Sequence, residues 1–320
     1  MSKVTRLAAF VGGDEVAIRS IAPPPSSPRR RASVLVPPLI GGSGLQQVGY
    51  FRALNEAGYH LFTFDYRGHG RSGGRFHVAS TIEDARAVLR VVRTELGGEP
   101  LFGVADCYGC IPLLCAAADE PTAFRALALF NPIPSLQHIA PPAAVLAEYF
   151  LPLDTAGKRR LAWRDPFDLR GMVAATTARL FAHVDQSREH FGILRYERAR
   201  TWTAAWEYLT SQPLAGIVSE APAEVWFGRS DRLLGLVEPS AEARYRALWR
   251  AHLPNGTVHV LEDADHFWTG IQARASAVAA VFFERFTPQV VYREPGEALG
   301  WNHQLGGLTT SSGLKHFVAR

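Results

Sequence analysis

The sequence predicts an α/β protein with a mostly parallel sheet, helices on both faces of that sheet and an inserted helical cap. Three observations lead to this fold class. Short apolar runs alternate with segments of helical spacing. The runs lack the polar alternation of a half-exposed strand, which is typical of parallel strands covered on both faces. The alternation stops between residues 131 and 223 and then resumes, which indicates an insertion between two strands.

The chain begins with a predicted pair of antiparallel strands. Residues 5–21 alternate loosely and turn at Gly12, Gly13 and Asp14, which are typical hairpin residues. Residues 81–96 form the clearest helix, because apolar side chains recur on one face and acidic residues occupy the first turns. The other elements expected in this half are strands at 32–36, 60–64, 101–105 and 126–130, a helix at 46–57, and a helix that starts at the cysteines.

The second half of the chain resumes the alternation, with strands at 224–227 and 257–261 and helices at 238–253 and 271–286. The stretch between the halves has a helical pattern broken by prolines, and we expect it to cover the carboxyl edge of the sheet. The last residues are rich in glycine, serine and threonine. The chain is therefore expected to have four parts: a first core half (1–135), a helical cap (136–215), a second core half (216–290) and an irregular tail (291–320).

Composition narrows the classes of function. The 320 residues are 47% hydrophobic and 20% charged, so we expect a large core and exclude disordered and collagen-like classes. A net charge of +4 is far below the charge density of a nucleic-acid binder, so no such partner is expected. Three clustered cysteines indicate a reducing, cytoplasmic setting. We expect neither a signal peptide nor a membrane span, and the sequence leaves the oligomeric state undetermined.

The most informative segment is the turn from the strand at 101–105 into the next helix. Cys107 lies at this turn, with Ala105 two positions before it and Gly109 two positions after it. Small residues at these two positions let the strand and the helix approach closely around a strained turn residue. The pattern is that of a nucleophile elbow with cysteine as the nucleophile. A helix N-terminus lowers the pKa of a thiol by stabilising the thiolate, which favours this chemistry.

These features together resemble the α/β-hydrolase superfamily, over residues 5–287. Residues 65–72, DYRGHGRS, match the superfamily's Asp-x-Arg-Gly-x-Gly-x-Ser run, which is the most specific match in the chain. Residues 33–44 lie where the superfamily has its glycine-rich oxyanion loop. Asp231 follows the predicted strand at 224–227, where the superfamily keeps its acid, and His266 follows the last strand, where it keeps its histidine.

The resemblance implies a catalytic triad in the order nucleophile, acid and base, formed by Cys107, Asp231 and His266. His266 would take the thiol proton and later return it to the leaving group, while Asp231 would fix the imidazole tautomer. The amides of Leu39 and Tyr108 would form the oxyanion hole. Two prolines precede Leu39 where the superfamily usually has His-Gly, which is a departure from the superfamily's pattern.

A cysteine at the elbow favours thioester substrates. Acyl transfer between two thiols is nearly isoenergetic, whereas thiol attack on a plain ester must expel a poorer leaving group. We therefore expect an acyltransferase or thioesterase that acts on an acyl group carried by an acyl carrier protein or coenzyme A, in lipid or polyketide-type metabolism. We expect no cofactor and no metal ion. The identity of the acyl group, the acceptor, and the choice between hydrolysis and transfer are not determined by the sequence.

Two other functions remain open. Dienelactone hydrolases share the cysteine variant of the elbow, so hydrolysis of a small ester or lactone is one alternative. A binding protein without catalytic activity, built on the same fold, is the other. Asp231 as an ordinary turn residue and His266 as a structural residue belong to this second alternative. Asp106 is a candidate for a secondary role in the site.

The other cysteines and the cap have simpler interpretations beside the functional ones. Cys107 and Cys110 form a Cys-x-x-Cys pair, which allows a redox function, although we expect Cys110 to pack beside the elbow and Cys115 to lie in the core. The arginines of the cap form a solvated face or receive an acidic carrier protein or the phosphates of coenzyme A. Three tryptophans are candidate substrate-binding residues or the cap's own core: Trp163, Trp202 and Trp206.

Overall fold

One eight-stranded sheet organises the chain. The structure is a computed structural model, and it describes residues 3–28, 32–39, 43–134, 214–231, 239–266, 268 and 271–287. The strands lie in the order β1-β2-β4-β3-β5-β6-β7-β8. Their bounds are β1 Val4–Val11, β2 Asp14–Ile21, β3 Ser33–Val36, β4 His60–Phe64, β5 Leu101–Asp106, β6 Leu127–Phe130, β7 Ala223–Gly228 and β8 Gly256–Leu261.

The sheet is parallel from β4 to β8, and β1 and β2 extend it as antiparallel strands at one edge. β3 lies between β4 and β5, so the strand order reverses direction at β3. Loops that leave neighbouring strands on opposite faces at such a reversal open a crevice at the carboxyl edge, where ligands bind in open α/β sheets. The segments after β3 and after β5 border this crevice.

Helices cover both faces of the sheet, as the uniformly apolar strands predict. One buried cluster joins the strands to α3, α4 and α5, and a second joins them to α1, α2 and α6. The central strands β3, β5, β6 and β7 are buried at every residue. The helix bounds are α1 Gly44–Tyr50, α2 Arg52–Glu56, α3 Ser80–Leu96, α4 Cys110–Asp119, α5 Pro239–His252 and α6 Gln272–Glu284.

The single helix expected at 46–57 is two helices that meet at Phe51. Phe51 leaves the helical conformation, with φ −100° and ψ 26°, and is fully buried. Its ring lies 5.6 Å from that of Phe130 on β6. Tertiary packing of this aromatic residue against the sheet therefore overrides the local helical pattern. The helix expected to start at the cysteines is also modified, because residues 107–109 form a 3-10 turn before α4.

The two predicted core halves share one sheet, since β6 of the first half pairs with β7 of the second. The described residues belong to one compact unit. The predicted cap, apart from residues 214–215, and the predicted tail lie outside the described residues, as do Trp163, Trp202 and Trp206. Within the described part of the chain, no helix is both long and apolar enough to cross a membrane.

Candidate active site

The backbone at Cys107 has the conformation of a nucleophile elbow. Its φ is +51°, in the left-handed region that residues with a side chain rarely adopt. It directly follows β5 and opens the 3-10 turn that leads into α4. Cys107 is partly exposed, whereas the other two cysteines are buried. A strained and partly exposed residue held at the carboxyl edge of a sheet is a candidate for function.

Gly109 lets the elbow contact the loop that follows β3. A Cβ atom at this position would lie 3.2 Å from the carbonyl oxygens of both Pro37 and Pro38. Tyr108 fixes the elbow from the other side, because its buried hydroxyl lies 2.7 Å from Thr81 Oγ1 at the start of α3. The elbow is therefore held between the β3 loop and α3.

The predicted acid and base form a pair next to the elbow. His266 Nδ1 lies 2.8 Å from Asp231 Oδ2, and both side chains are fully buried. The His266 side chain also hydrogen-bonds to Cys107. Since Nδ1 faces Asp231, Nε2 is the ring nitrogen left for the sulfur. The structure thus brings together the three residues that the sequence predicted for the triad.

Electrostatics at this pair favour a charged imidazole. Burial alone lowers the pKa of His266, but the charges of Asp231 and of the Cys107 thiolate, with the hydrogen bonds to both, raise that pKa well above its ordinary value. A histidine whose pKa is raised in this way, and which hydrogen-bonds to Cys107, is placed to accept a proton from the sulfur.

Backbone hydrogen bonds join the loop of the acid to the loop of the base. The Ser230 amide donates to the Ala264 carbonyl over 2.9 Å, next to Asp231 on one side and two residues before His266 on the other. Gly228 ends β7 directly against this loop, because a Cβ atom there would lie 2.3 Å from the Ala264 carbonyl oxygen. Only a residue without a side chain allows this approach.

Asn131 is a site residue that the sequence analysis did not single out. It directly follows β6 with a φ of +42° and is fully buried. Its Nδ2 donates to the His266 carbonyl over 2.7 Å, and its Oδ1 accepts from the Gly228 amide over 3.0 Å. The signal available in the sequence was a polar residue at the carboxyl end of a buried strand, where the site residues of such sheets lie.

Asp106 lies beneath the site with an unusual charge state. Its side chain is 3% exposed, and Oδ1 has no hydrogen-bond partner among the described residues. Burial raises the pKa of Asp106 to about 7; the charge of Asp231 also raises it, while His266 and the Cys107 amide lower it. Asp106 in turn contributes, after burial, to a raised pKa of the Tyr50 hydroxyl. These interactions place a carboxyl that is about half protonated at neutral pH at the base of the elbow.

The DYRGHGRS motif has a structural role at the edge of the site. Asp65 is buried and accepts hydrogen bonds from the Gly44 amide (3.0 Å), the Arg71 amide (3.2 Å) and Arg19 Nη2 (2.7 Å). Burial alone raises the pKa of Asp65, but Arg19 and the two amides reverse this and lower it. Because Gly44 is the first residue of α1, Asp65 fixes the end of the loop that leads from β3 into α1.

The predicted oxyanion donors lie on adjoining segments, and their role remains a prediction. The Tyr66 hydroxyl donates to the Pro38 carbonyl over 3.0 Å. In a trans peptide the carbonyl and the next amide point in opposite directions, so the Leu39 N–H points away from Tyr66. Leu39 is half-buried and follows the prolines that contact the elbow, where the Tyr108 amide lies. Residues 40–42 of this loop lie outside the described part of the chain.

The remaining cysteines are packing residues. Burial raises the pKa of Cys110 well above its ordinary value and raises that of Cys115 to about 12. The Cys110 thiol donates to the Phe130 carbonyl over 3.7 Å. Buried, protonated thiols of this kind are unreactive, which disfavours a Cys107–Cys110 redox pair. Among the described residues, no group of three or more His, Cys, Asp or Glu side chains is arranged to hold a metal ion.

Comparison with known proteins defines the fold. A family model described as serine aminopeptidase, S33, matches residues 29–169, which is less than half of the chain. No curated protein matches the sequence significantly. The description of the matching family names a serine enzyme, whereas the residue at the elbow of this chain is Cys107.

Solved structures resemble the chain over most of its length. An esterase from Pyrococcus furiosus has a TM-score of 0.59 and 15% identity, over 90% of this chain and 92% of its own. A thioesterase domain from the curacin biosynthetic pathway has a TM-score of 0.54 and 18% identity, over 88% and 99%. An α/β serine hydrolase from Xanthomonas campestris has a TM-score of 0.54 and 17% identity, over 90% and 97%. The chain has the α/β-hydrolase fold, and the predicted mostly parallel sheet with helices on both faces is confirmed. The helical cap stays a prediction, because it lies outside the described residues.

Proposed function

We propose that the protein is an enzyme that forms an acyl-enzyme on Cys107 and acts on thioesters. The observation that supports this most directly is the contact between a strained, accessible cysteine and a buried His266–Asp231 pair at the carboxyl edge of the sheet. The same three residue types in this order are the parts that nucleophilic acyl transfer requires.

The first half of the reaction uses the elbow and the base. His266 Nε2 accepts the thiol proton, and the Cys107 sulfur attacks the carbonyl carbon of the substrate, whose π electrons move to the oxygen. The amides of Tyr108 and Leu39 donate hydrogen bonds to this oxyanion. When the intermediate collapses, the bond to the leaving sulfur breaks, and that sulfur takes the proton from His266. Asp231 stabilises the imidazolium throughout.

The second half releases the acyl group to an acceptor. Water, an alcohol, an amine or a second thiol loses a proton to His266 as it attacks the Cys107 thioester, and the proton then returns to the departing sulfur. A thioester enzyme intermediate stays reactive towards all of these acceptors. A thioester of an acyl carrier protein or of coenzyme A is the substrate class that matches this chemistry, and the fold shared with the curacin thioesterase domain supports it.

Intact mass spectrometry after incubation with acyl-coenzyme A thioesters of several chain lengths tests this function. We expect the wild type to gain one acyl mass, and Cys107→Ala to gain none. Cys110→Ala is the matched control, because it removes a neighbouring thiol that is buried and whose pKa is raised by burial. This variant should still gain the adduct. Adduct formation that survives Cys107→Ala would contradict the proposal. Faster turnover of p-nitrophenyl esters than of thioesters would favour the ester or lactone alternative.

A further inference from the structure

Asn131 connects three segments that meet at the site. It directly follows β6. Its Oδ1 accepts from the Gly228 amide at the end of β7 (3.0 Å), and its Nδ2 donates to the carbonyls of Asp265 (3.2 Å) and His266 (2.7 Å). Its own amide donates to the Trp226 carbonyl over 2.8 Å. One buried side chain thus joins the strand that leads to the acid and the loop that holds the base.

The chemistry of this position selects asparagine. Two carbonyl oxygens on one side require two donors, and one amide N–H on the other side requires an acceptor, which is the donor and acceptor pattern of a carboxamide. Aspartate would present a carboxylate to both carbonyls. The left-handed backbone, with φ +42°, also restricts the choice, because asparagine and aspartate adopt it more readily than other residues with side chains.

We propose that Asn131 is a positioning residue that holds His266 and Asp231 in register for proton transfer with Cys107. Gly228, which donates to the Asn131 side chain, lies three residues before Asp231. The side-chain carboxamide of Asn131 also donates to the backbone carbonyl of His266, so loss of the side chain frees both loops at once. The catalytic meaning of this geometry rests on the proposed function, but the geometry of the His266–Asp231 pair does not. The two can therefore be tested apart.

Asn131→Gly is the test variant, because glycine keeps the left-handed backbone and removes only the carboxamide. The downfield proton NMR signal of the His266 Nδ1 proton reports the hydrogen bond to Asp231 without any substrate. We expect Asn131→Gly to lose or broaden this signal and to lower the rate of Cys107 alkylation by iodoacetamide at neutral pH by roughly 10- to 100-fold. With thioesters, kcat should fall while KM stays close to the wild-type value.

Asn55→Ala is the matched control. Asn55 is also buried, and its Nδ2 also donates to two carbonyls, those of Ile21 (3.3 Å) and Tyr59 (3.0 Å). These contacts lie at β2 and β4, which are separated by β3 from the strands that lead to the triad. We expect this variant to unfold at a lower denaturant concentration than the wild type but to keep the His266 signal and the alkylation rate. A merely structural role of Asn131 would give the same result for both variants.

The outcomes separate the two proposals. If Asn131→Gly folds and keeps both the His266 signal and the wild-type alkylation rate, the positioning role is wrong. If the wild type forms no acyl adduct, yet Asn131→Gly still loses the His266 signal, the positioning of the pair stands and the proposed function fails. Should Asn131→Gly not fold, Asn131→Asp preserves the side-chain shape but lacks both donors when ionised, and the same two measurements apply to it.

Discussion

At the scale of single residues, two buried carboxyl groups near the site have opposite charge preferences. Asp65 has a guanidinium and two amides around it, which lower its pKa. Asp106 has an Oδ1 without a hydrogen-bond partner in the described structure. Burial, together with the charge of Asp231, raises the pKa of Asp106 to about 7. Burial raises the pKa of both carboxyl groups, so the opposite directions of their net shifts come from the charges and amides beside each one.

We expect Asp106→Asn to stabilise the protein at alkaline pH. In the wild type, the folded state holds a proton on Asp106 up to about pH 7, whereas the unfolded chain releases it near the ordinary pKa of 3.8. The contribution of the protonated Asp106 to stability is therefore complete below about pH 4, is lost as the pH rises from about 4 to 7, and does not change further above that. The difference corresponds to roughly 4 kcal/mol. Urea unfolding of both proteins between pH 4 and 9 measures it.

Asp65→Asn is the control with the opposite sign. It removes a charge that Arg19 and two amides stabilise, so we expect it to lower the free energy of unfolding at neutral pH. The loss should shrink as the pH falls through the lowered pKa of Asp65. An Asp106→Asn variant whose stability follows the wild type across the whole pH range would show that Asp106 is ionised in the folded protein, contrary to the expectation.

The limits of sequence reasoning are also clearest at this scale. The turn at Cys107 was predictable from the small residues on either side of it, and the positions of Asp231 and His266 were predictable from the resemblance to the superfamily. The structure brings the three side chains together, and their catalytic roles are part of the proposed function. Asn131 and Asp106 were harder to assign, since their significance comes from contacts with segments about 100 residues away in the chain. Proximity of this kind is a property of the folded sheet and leaves no local pattern.

At the scale of elements, glycines set the distances between strand ends and loops. We expect Gly228→Ala to destabilise the protein by about 2 to 4 kcal/mol, because its Cβ would lie 2.3 Å from the Ala264 carbonyl oxygen and must push the His266 loop away. The alkylation rate of Cys107 should fall with it. Thermal unfolding and iodoacetamide kinetics measure the two effects.

Gly49→Ala is the matched glycine substitution. Gly49 is exposed in α1, and a Cβ atom there has no neighbour within 4 Å. Alanine has the higher helix propensity, so we expect this change to raise the free energy of unfolding by up to about 1 kcal/mol and to leave the alkylation rate unaltered. Equal stability of the Gly228→Ala and Gly49→Ala variants would contradict the packing argument.

The elements themselves were largely predictable, and the departures have packing causes. The strands and α3 agree with the sequence expectation to within one residue at most ends, because uninterrupted apolar runs and a clear amphipathic period leave little choice. The break at Phe51 was not predictable, since it depends on a ring from β6 that only the folded sheet brings into contact.

At the scale of the whole molecule, the candidate site is a product of the complete sheet. Cys107 follows β5, Asp231 follows β7 and His266 follows β8, and these strands belong to both sequence halves. We expect rapid Cys107 alkylation and the far-UV circular dichroism signal to be lost at the same urea concentration, as in a cooperative transition. Loss of fast alkylation well before the sheet unfolds would show that the site melts separately from its scaffold.

The pairing of β6 with β7 has a consequence for how this protein can be altered. The chain leaves the sheet after Phe130 and returns at Ala223 in the neighbouring, parallel strand, with Leu127 paired to Ala223. A crossover between parallel neighbours needs only about a dozen residues, so the sheet sets a minimum length for this excursion but no maximum. The number of residues between Phe130 and Ala223 can therefore change, in evolution or by engineering, while the register of β6 and β7 stays the same.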